Sequence, residues 1–362
     1  MGFLRKSIID SVIFANFTKF TFDLSILSKR NIMSKNKLQQ EFLLKIKETM
    51  PENVSFIDEI AETLEISNDS AYRRLRGETA LTINEVSKLC TTYNISFDMF
   101  TQNNENISFT YSTLHNANEF VQYLQAILSD MKQIEKSDNN KIIYAAVDIP
   151  IFHHFNFPEL SAFKMYYWMK AVVGVEEFNN KKFSTEIINE DIANIGKEIY
   201  KTYTNIPSIE IWTTETINSL IKQIEFFWES GNFLTNKDAL VICKQAKQEI
   251  VLLEKQAEVS NKLMDDISCE KSKFTLYYSD IEIGNNCIYT QRADLKSVYL
   301  SVHTFNKLLT VNQKFVIQTE AWLDNLISKS ILISGVAEKN RYQFFKKAND
   351  KIDKLIKRIS EE

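Results

Sequence analysis

The sequence predicts a mostly α-helical protein of the α+β class. We expect a five-helix N-terminal domain, followed by a larger helix-rich α+β domain with an antiparallel sheet. The 362 residues include seven glycines and four prolines, which indicates many helices and few tight turns. Apolar residues recur at helical spacing along most of the chain. Segments rich in β-branched and aromatic residues appear after the polar stretch 102–108, so we place the domains at 36–102 and 107–362.

The composition excludes several classes of protein. The chain is 44% hydrophobic and 25% charged, as in ordinary globular proteins, and its net charge of −4 means that any contact with DNA requires a local basic patch. No run approaches the roughly 18 apolar residues that span a membrane, so we expect no membrane partner. The cysteines are scattered, which fits a reducing cytoplasm; they are Cys90, Cys243, Cys269 and Cys287.

Residues 1–32 differ from the segment that follows them. MGFLRKSIIDSVIFANFTKF is aromatic and weakly patterned, and it is not a clean signal peptide. Met33 opens the polar stretch MSKNKLQQEF, which leads into a helix. We therefore expect that translation starts at Met33 and that 1–32 is an upstream extension. The alternative is a segment that packs on the larger domain.

The N-terminal domain contains five helical patterns with recognisable ends. Ser55 with Asp58, and Thr82 with Glu85, have the spacing of capping boxes. Ser67 is a suitable N-cap for the third helix, and glycine at position 77 is a natural stop. The predicted helices cover 38–50, 55–65, 68–76, 82–93 and 96–100.

The third of these helices, within ISNDSAYRRLRGE (66–78), carries the candidate site. Ala71 and Leu75 are four residues apart and can both face Ala61 and Leu64 of the second helix. That arrangement turns the stripe Asp69, Tyr72, Arg73 and Arg76 outward. Arginine can bond guanine bidentately, and the residues at the helix start can contact an adenine edge or a phosphate. The candidate DNA-binding residues are Ser67, Asn68, Asp69, Ser70, Tyr72, Arg73, Arg74 and Arg76.

The stretch IDEIAETLEISNDSAYRRLRGETALTINEVSKLCTTYNISFDMF resembles the lambda-repressor-like helix-turn-helix of the XRE type, in a form associated with regulators of Bacteroidetes-type bacteria. The resemblance covers about residues 38–102. It implies that Asn68, Asp69 and Arg73 read bases. Two positions depart from the pattern. Glu65 stands where this family often has glycine. Arg74 stands where the family usually has an apolar residue. The stem of Arg74 therefore lies along the surface, or its guanidinium reaches a phosphate.

The larger domain shows strand patterns separated by long helical ones. The glycine and asparagines of IGNN (283–286) indicate a hairpin turn. The predicted strands are 107–112, 141–147, 273–279, 286–291 and 296–303. The predicted helices are 117–136, 158–173, 190–204, 214–230, 236–265, 312–329 and 336–360. The last helix either packs on this domain or pairs with its copy in a dimer.

Several residues of the larger domain have chemical potential without forming a known enzyme motif, so we expect neither an enzyme nor a cofactor. His153 and His154 either bind a metal or are ordinary buried or surface histidines, and with Asp148 they imitate an acid/base site. Phe163, Tyr167 and Trp168 either line a cavity or pack in the core. One further cluster forms either a helix junction held by ion pairs or a ligand or subunit contact. Its residues are Lys329, Ser330, Ser334, Glu338 and Arg341.

These features together predict a cytoplasmic, sequence-specific transcriptional regulator. A homodimer would insert its two copies of the 68–76 helix into double-stranded DNA, and 107–362 would dimerise and sense a small-molecule or protein effector. Two alternatives stay open. One is an enzyme or effector tethered to the N-terminal domain, and the other is a protein-interaction module that does not bind DNA.

Overall fold

A computed structural model describes residues 35–50, 54–93, 107–112, 117–186, 190–264, 267–302 and 306–362, together with Ile95, Phe97 and Phe100. The chain divides into two compact units, unit 1 at 1–106 and unit 2 at 107–362. Each unit has its own hydrophobic core.

Unit 1 is helical in all of its described elements. They are α1 (Lys35–Thr49), α2 (Phe56–Leu64), α3 (Asn68–Leu75) and α4 (Ile83–Tyr93), and they lie where the periodicity predicts helices. The predicted extension 1–32 lies outside the described residues, as does most of the predicted fifth helix at 96–100. The core of unit 1 is formed by Phe42, Leu43, Ile46, Ile60, Ala61, Leu64, Ala71, Leu89 and Ile95.

The ends of these helices follow the sequence with one exception. The Ser70 amide donates to Oγ of Ser67 at 3.3 Å, which confirms the N-cap of α3. Thr82 and Glu85 form the predicted capping box, because each side chain accepts from the other residue's amide. The prediction of a capping box at Ser55 is wrong, since Ser55 makes no side-chain cap bond.

Unit 2 is a helix-rich α+β unit, as predicted. Its helices are α5 (Ala117–Glu135), α6 (Ile151–His154), α7 (Pro158–Tyr167), α8 (Glu190–Thr204), α9 (Thr214–Glu229), α10 (Asn236–Val259), α11 (Gln313–Ser328) and α12 (Glu338–Glu361). A π-helical segment (Trp168–Val173) continues α7, and a short 3₁₀ helix follows (Glu176–Phe178). The strands are β1 (Thr110–Ser112), β2 (Lys141–Ala146), β3 (Ser208–Trp212), β4 (Asn261–Met264), β5 (Ile267–Tyr278), β6 (Cys287–Arg292), β7 (Leu295–Val302), β8 (Asn306–Thr310) and β9 (Ile331–Leu332).

The sheet is mixed, so the prediction of an antiparallel sheet is wrong. Among the described residues, nine strands join in the order β1-β8-β7-β6-β2-β3-β5-β4, and β9 pairs with β5. The pairs β2–β3 and β3–β5 are parallel, and the other pairs are antiparallel. Two parallel neighbours require a long crossover connection, and the helices α6 to α10 supply both crossovers.

The alternating side chains of the sheet enter two hydrophobic clusters. On β2, Ile142, Tyr144 and Ala146 belong to the larger cluster, which also holds side chains of α5 to α10 and α12. The intervening Ile143 and Ala145 belong to a smaller cluster that includes α11. Helices therefore cover both faces of the central strands, which explains why these strands are apolar on both sides.

The loop containing IGNN is not a hairpin turn, contrary to prediction. It connects β5 to β6, and these strands are separated in the sheet by β3 and β2. Asn286 instead fixes the loop to the end of β2, because its Oδ1 accepts from the Val147 amide at 2.8 Å. The hairpin lies between β6 and β7, where Ala293 adopts a φ of 51°.

The last helix packs within its own unit. One face of α12 is buried along α10, and its buried apolar residues are Phe345, Ala348, Ile352, Leu355 and Ile359. This packing occupies the apolar face that pairing with a second copy would require. Over the described part of the chain, no helix combines the length and apolar character that crossing a membrane demands.

The contact between α6 and α8 generates a stability prediction. A Cβ added at Gly196 would lie 2.6 Å from Cδ1 of the buried Phe155 ring. Gly196→Ala should therefore lower the free energy of unfolding of unit 2 by about 1–3 kcal/mol, although alanine favours an exposed helix by about 1 kcal/mol. Urea denaturation followed by tryptophan fluorescence measures this, because all four tryptophans lie in unit 2.

The control for this prediction is a second substitution that makes room. Adding Phe155→Leu to Gly196→Ala should cost less than the sum of the two single changes, because the smaller side chain relieves the clash. An increase in stability for Gly196→Ala alone would contradict the predicted contact.

Candidate functional site

The helix α3 has one buried side and one exposed side. Ala71 is fully buried and Leu75 packs against the same core, whereas the stripe Asp69, Tyr72, Arg73 and Arg76 is exposed. The helix ends in a Schellman motif, in which Gly77 has a φ of 75° and the Glu78 amide donates to the Arg73 carbonyl. Caps at both ends thus fix which residues of this helix face outward.

The turn between α2 and α3 places a charged residue in a left-handed conformation. Glu65 has a φ of 58° and a ψ of 43°, a region that glycine adopts without strain. Its carboxylate accepts from Nζ of Lys88 at 2.6 Å, and this hydrogen bond lowers the pKa of Glu65. The turn that the resemblance associates with glycine is therefore formed with glutamate in this chain.

Arg74, one of the candidate DNA-binding residues, forms an ion pair within unit 1. Its side chain is 15% exposed, and its guanidinium donates twice to Oε1 of Glu85, at 3.0 and 2.7 Å. Burial opposes ionisation of Glu85, but the bonds from Arg74 and Thr82 outweigh it and lower the pKa of Glu85. Gln39 of α1 donates to the Arg74 carbonyl, which fixes this region further.

Arg73 and Arg76 are the exposed cations of α3, and one carboxylate lies beside both. Their side chains are 59% and 66% exposed. Glu78 lies 3.8 Å from Nε of Arg73 and 3.7 Å from Nη1 of Arg76. The Arg76 guanidinium also lies 5.6 Å from the centre of the Tyr72 ring. The two guanidiniums therefore lie within reach of a single acidic partner that the sequence analysis overlooked.

The residues at the start of α3 are partly engaged with one another. Nδ2 of Asn68 donates to Oδ1 of Asp58 at 2.7 Å, and Oγ of Ser67 donates to Oγ of Ser70 at 3.0 Å. This bond uses one of the two N–H donors of the Asn68 side chain. Asp58 thus accepts a hydrogen bond from Asn68 instead of forming the predicted capping box with Ser55.

The predicted cluster around Gly335 is held by hydrogen bonds to the backbone. The Leu276 amide donates to Oγ of the buried Ser334, and Nη1 of the buried Arg341 donates to the Gly335 carbonyl at 2.7 Å. Ser330 donates to the Leu326 carbonyl. Lys329 and Glu338 are exposed, whereas Arg341 is buried. The structure therefore brings Ser334 and Arg341 into one internal junction, and among the described residues hydrogen bonds to the backbone hold it instead of the expected ion pairs.

His153 lies in a buried polar network centred on Glu210 of β3. Oε1 of Glu210 contacts Nε2 of His153 at 2.9 Å and accepts from the Tyr203 hydroxyl at 2.5 Å, and Oε2 accepts from Nε1 of Trp212 at 2.9 Å. Lys262 lies 3.7 Å from the centre of the Tyr203 ring. Burial opposes ionisation of Glu210, but the His153 charge and these bonds outweigh it and lower the pKa of Glu210.

His154 forms a second buried pair with a different charge state. Its Nδ1 lies 2.7 Å from Oε1 of Glu249. Burial raises the pKa of Glu249 to about 8 and lowers the pKa of His154 well below its usual range. Burial therefore favours the uncharged form of both side chains.

Both histidines are paired with buried glutamates. Over the described residues, no group of three or more histidine, cysteine or acidic side chains has the arrangement to hold a metal ion. The histidines were conspicuous in the sequence, but their partners Glu210 and Glu249 lie 57 and 95 residues away and carry no local signal. Phe163 packs in the core against Phe183 and Phe233.

Comparisons of the chain with models of known protein families, with curated proteins and with solved structures found no match.

The pair His154–Glu249 predicts a pH dependence of stability. A raised pKa in the folded state contributes stability that is present below the usual glutamate value of 4.5 and is lost as the pH rises through about 8. The lowered pKa of His154 affects stability only below pH 6.5, which is the usual pKa of histidine. Stability should therefore fall between pH 6.5 and about 8, and Glu249→Gln should remove this decline because an amide stays neutral.

Urea denaturation of unit 2 over this pH range, followed by tryptophan fluorescence, measures the effect. Glu258→Gln is the matched control, because Glu258 is exposed on the same helix and its replacement should leave the decline in place. An undiminished decline in the Glu249→Gln variant would show that another group causes it.

Proposed function

We propose that unit 1 is a helix-turn-helix domain that binds double-stranded DNA and that the protein is a sequence-specific transcriptional regulator. The observation that supports this most is the capped helix α3, which buries Ala71 and exposes Asp69, Tyr72, Arg73 and Arg76. A short helix with long hydrogen-bond donors along its outer side has the shape and chemistry that the major groove accepts.

The geometry refines the roles of the three arginines. Arg73 lies in the middle of the exposed stripe and is the proposed base reader, with Asn68 and Asp69 beside it at the helix start. Arg76 is held near Tyr72 at the helix end and is the proposed phosphate contact. Arg74 positions α3 through Glu85 and has no proposed contact with DNA.

Dimerisation through unit 2 is the second part of the proposal. One helix-turn-helix reads few base pairs, so such domains act in pairs on half-sites about one DNA turn apart. Unit 2 exposes several large apolar side chains that a subunit contact would cover, among them Ile317, Trp322, Ile331, Val336 and Tyr342. Light scattering coupled to size-exclusion chromatography of the intact chain tests whether it is dimeric.

A protein-interaction domain without DNA binding is the competing candidate. It is favoured by one observation, which is that Glu78 lies beside Arg73 and Arg76 and compensates their charge. The two candidates differ in what the arginines do, so their substitution separates them.

Arg73→Ala and Arg76→Ala should impair DNA binding in different ways. Loss of a bidentate base contact should reduce the preference for the selected sequence over random DNA by roughly 10–100-fold for Arg73→Ala. Arg76→Ala should weaken binding to all sequences and reduce the salt dependence by about one phosphate contact. Selection of binding sites from random duplex DNA, followed by titrations at several salt concentrations, measures both effects.

Lys47→Ala is the matched control, because it removes one exposed positive charge from unit 1 on α1. It should keep the sequence preference of the wild type. Circular dichroism of each variant establishes that the helices are retained. If the wild-type protein selects no sequence, or if both arginine variants bind as the wild type does, the DNA-binding proposal is wrong.

Glu78→Gln should strengthen DNA binding. The carboxylate competes with phosphate for Arg73 and Arg76, so its neutralisation frees both guanidiniums and removes repulsion of the DNA backbone. We expect affinity for random and selected DNA to rise by roughly threefold to tenfold at low salt, with a smaller gain at high salt. Glu62→Gln, an exposed change on α2, should have little effect, and equal gains for both variants would argue against a specific role of Glu78.

A further inference from the structure

Unit 2 contains a cavity that the DNA-binding proposal does not use. It has a volume of about 500 Å³, and its wall is formed by α5, the end of β2, the junction of α7 with the π-helical segment, and the strands β6 to β8. Ligand cavities in proteins commonly have volumes of about 300–1,000 Å³. The size therefore suits a small organic molecule.

The cavity lies where the order of the strands reverses. The parallel strands β2, β3 and β5 follow one another across the sheet, and the chain then returns to add β6 on the other side of β2. Val147 and Asp148, directly after β2, line the cavity, as do Gly284 and Asn286, directly before β6. In open sheets with parallel strands, ligands bind outside the carboxyl ends of the strands at such a reversal. The topology thus favours a ligand site at this position.

The wall of the cavity is apolar and rich in aromatic rings. Several members of the larger hydrophobic cluster are only partly buried and line the cavity, among them Ile127 of α5, Ile151 of α6 and Ile288 of β6. A ligand with apolar surface would complete their burial, which is favourable. The aromatic residues of the wall are Tyr123, Tyr144, Phe152, Tyr167, Trp168 and Tyr299. Such rings favour a flat aromatic ligand, because offset and edge-to-face ring pairs add to the gain from burial.

The helix that carries two of these rings changes its winding at the wall. Tyr167 is the last residue of α7, and Trp168 is the first residue of the π-helical segment. Segments of π-helix are rare and frequently occur at functional sites. The sequence suggested Tyr167 and Trp168 as cavity residues, and the structure places both on this wall.

The charges of the wall are compensated by neighbouring side chains. Oδ2 of Asp148 accepts from Nζ of the buried Lys164 at 2.6 Å, and Nζ of Lys307 lies 3.8 Å from Oδ2 of Asp130. Burial raises the pKa of the wall tyrosines, so they remain neutral hydroxyls. A ligand therefore gains more from apolar and ring contacts with this wall than from an ion pair.

We propose that this cavity binds a flat, hydrophobic aromatic molecule, which lies between α5 and the sheet and packs against the aromatic side chains of the wall. The ligand completes the burial of the side chains that line the cavity at the end of β2. The inference does not depend on DNA binding by unit 1.

Two probes with the same carbon skeleton test the proposal, namely 2-naphthol and decahydro-2-naphthol. The saturated compound has no less apolar area, so burial alone gives no preference for the flat ring. Isothermal titration calorimetry on the intact chain should give a Kd for 2-naphthol roughly threefold to tenfold lower than for the saturated compound, because only the aromatic ring forms ring pairs with the wall. Binding of 2-naphthol should also raise the melting temperature of the protein.

Substitutions that fill the cavity from opposite sides locate the bound probe. Ile127→Trp fills it from α5 and Ile288→Trp from β6, and each should raise the Kd of 2-naphthol at least about tenfold, since the added ring occupies the probe's position. Gln125→Trp is the matched control, because Gln125 is exposed on α5, and this variant should bind 2-naphthol as the wild type does. Circular dichroism of each variant establishes that the fold is retained, and two filling variants on different elements guard against the failure of one to fold.

Three results would overturn the proposal. They are absence of binding of 2-naphthol at millimolar concentration, binding of the saturated compound as tightly as 2-naphthol, and binding by the folded filling variants equal to that of Gln125→Trp. None of these results would affect the assignment of α3 to DNA, which is measured without the probes.

Discussion

The carboxylate of Glu210 is the constraint on which the architecture of unit 2 depends. It lies on the central strand β3, and an ionised carboxylate is stable in a core only where donors and positive charge surround it. His153 from α6, Tyr203 from α8 and Trp212 from the same strand provide these partners. The position of each of those helices against the sheet is therefore coupled to β3. Removing one partner leaves a buried charge, whereas an apolar core tolerates a comparable loss more easily.

In unit 1 the corresponding constraint is steric and local. Ala71 is small enough for α3 to approach α2 closely, and the left-handed residue Glu65 sets the direction in which the chain leaves α2. Arg74 then completes the arrangement through its partly buried ion pair with Glu85. The exposed face of α3 is a consequence of these three contacts. Its proposed role in DNA recognition therefore depends on residues that have no proposed contact with DNA.

The sequence predicted most helices of both units because their buried faces repeat every three to four residues. It missed β3, where a buried glutamate interrupts a short apolar run and makes SIEIW look unlike a core strand. Without β3, the parallel pairing of the sheet could not be inferred. Periodicity also did not predict the partners of two arginines, which are Glu85 for Arg74 and Glu78 for Arg73. Such side-chain partners depend on the geometry of the turns, which periodicity does not encode.

The Glu210 network also bears on how unit 2 folds. His153 lies 57 residues before Glu210, and Lys262 of β4 reaches back to the Tyr203 carbonyl across 59 residues. Contacts this distant form only after long loops have closed, which slows folding. A partly assembled unit that buried Glu210 before α6 had docked would carry an unpaired charge and be disfavoured. The network therefore disfavours partly formed sheets in which Glu210 is buried without its partners.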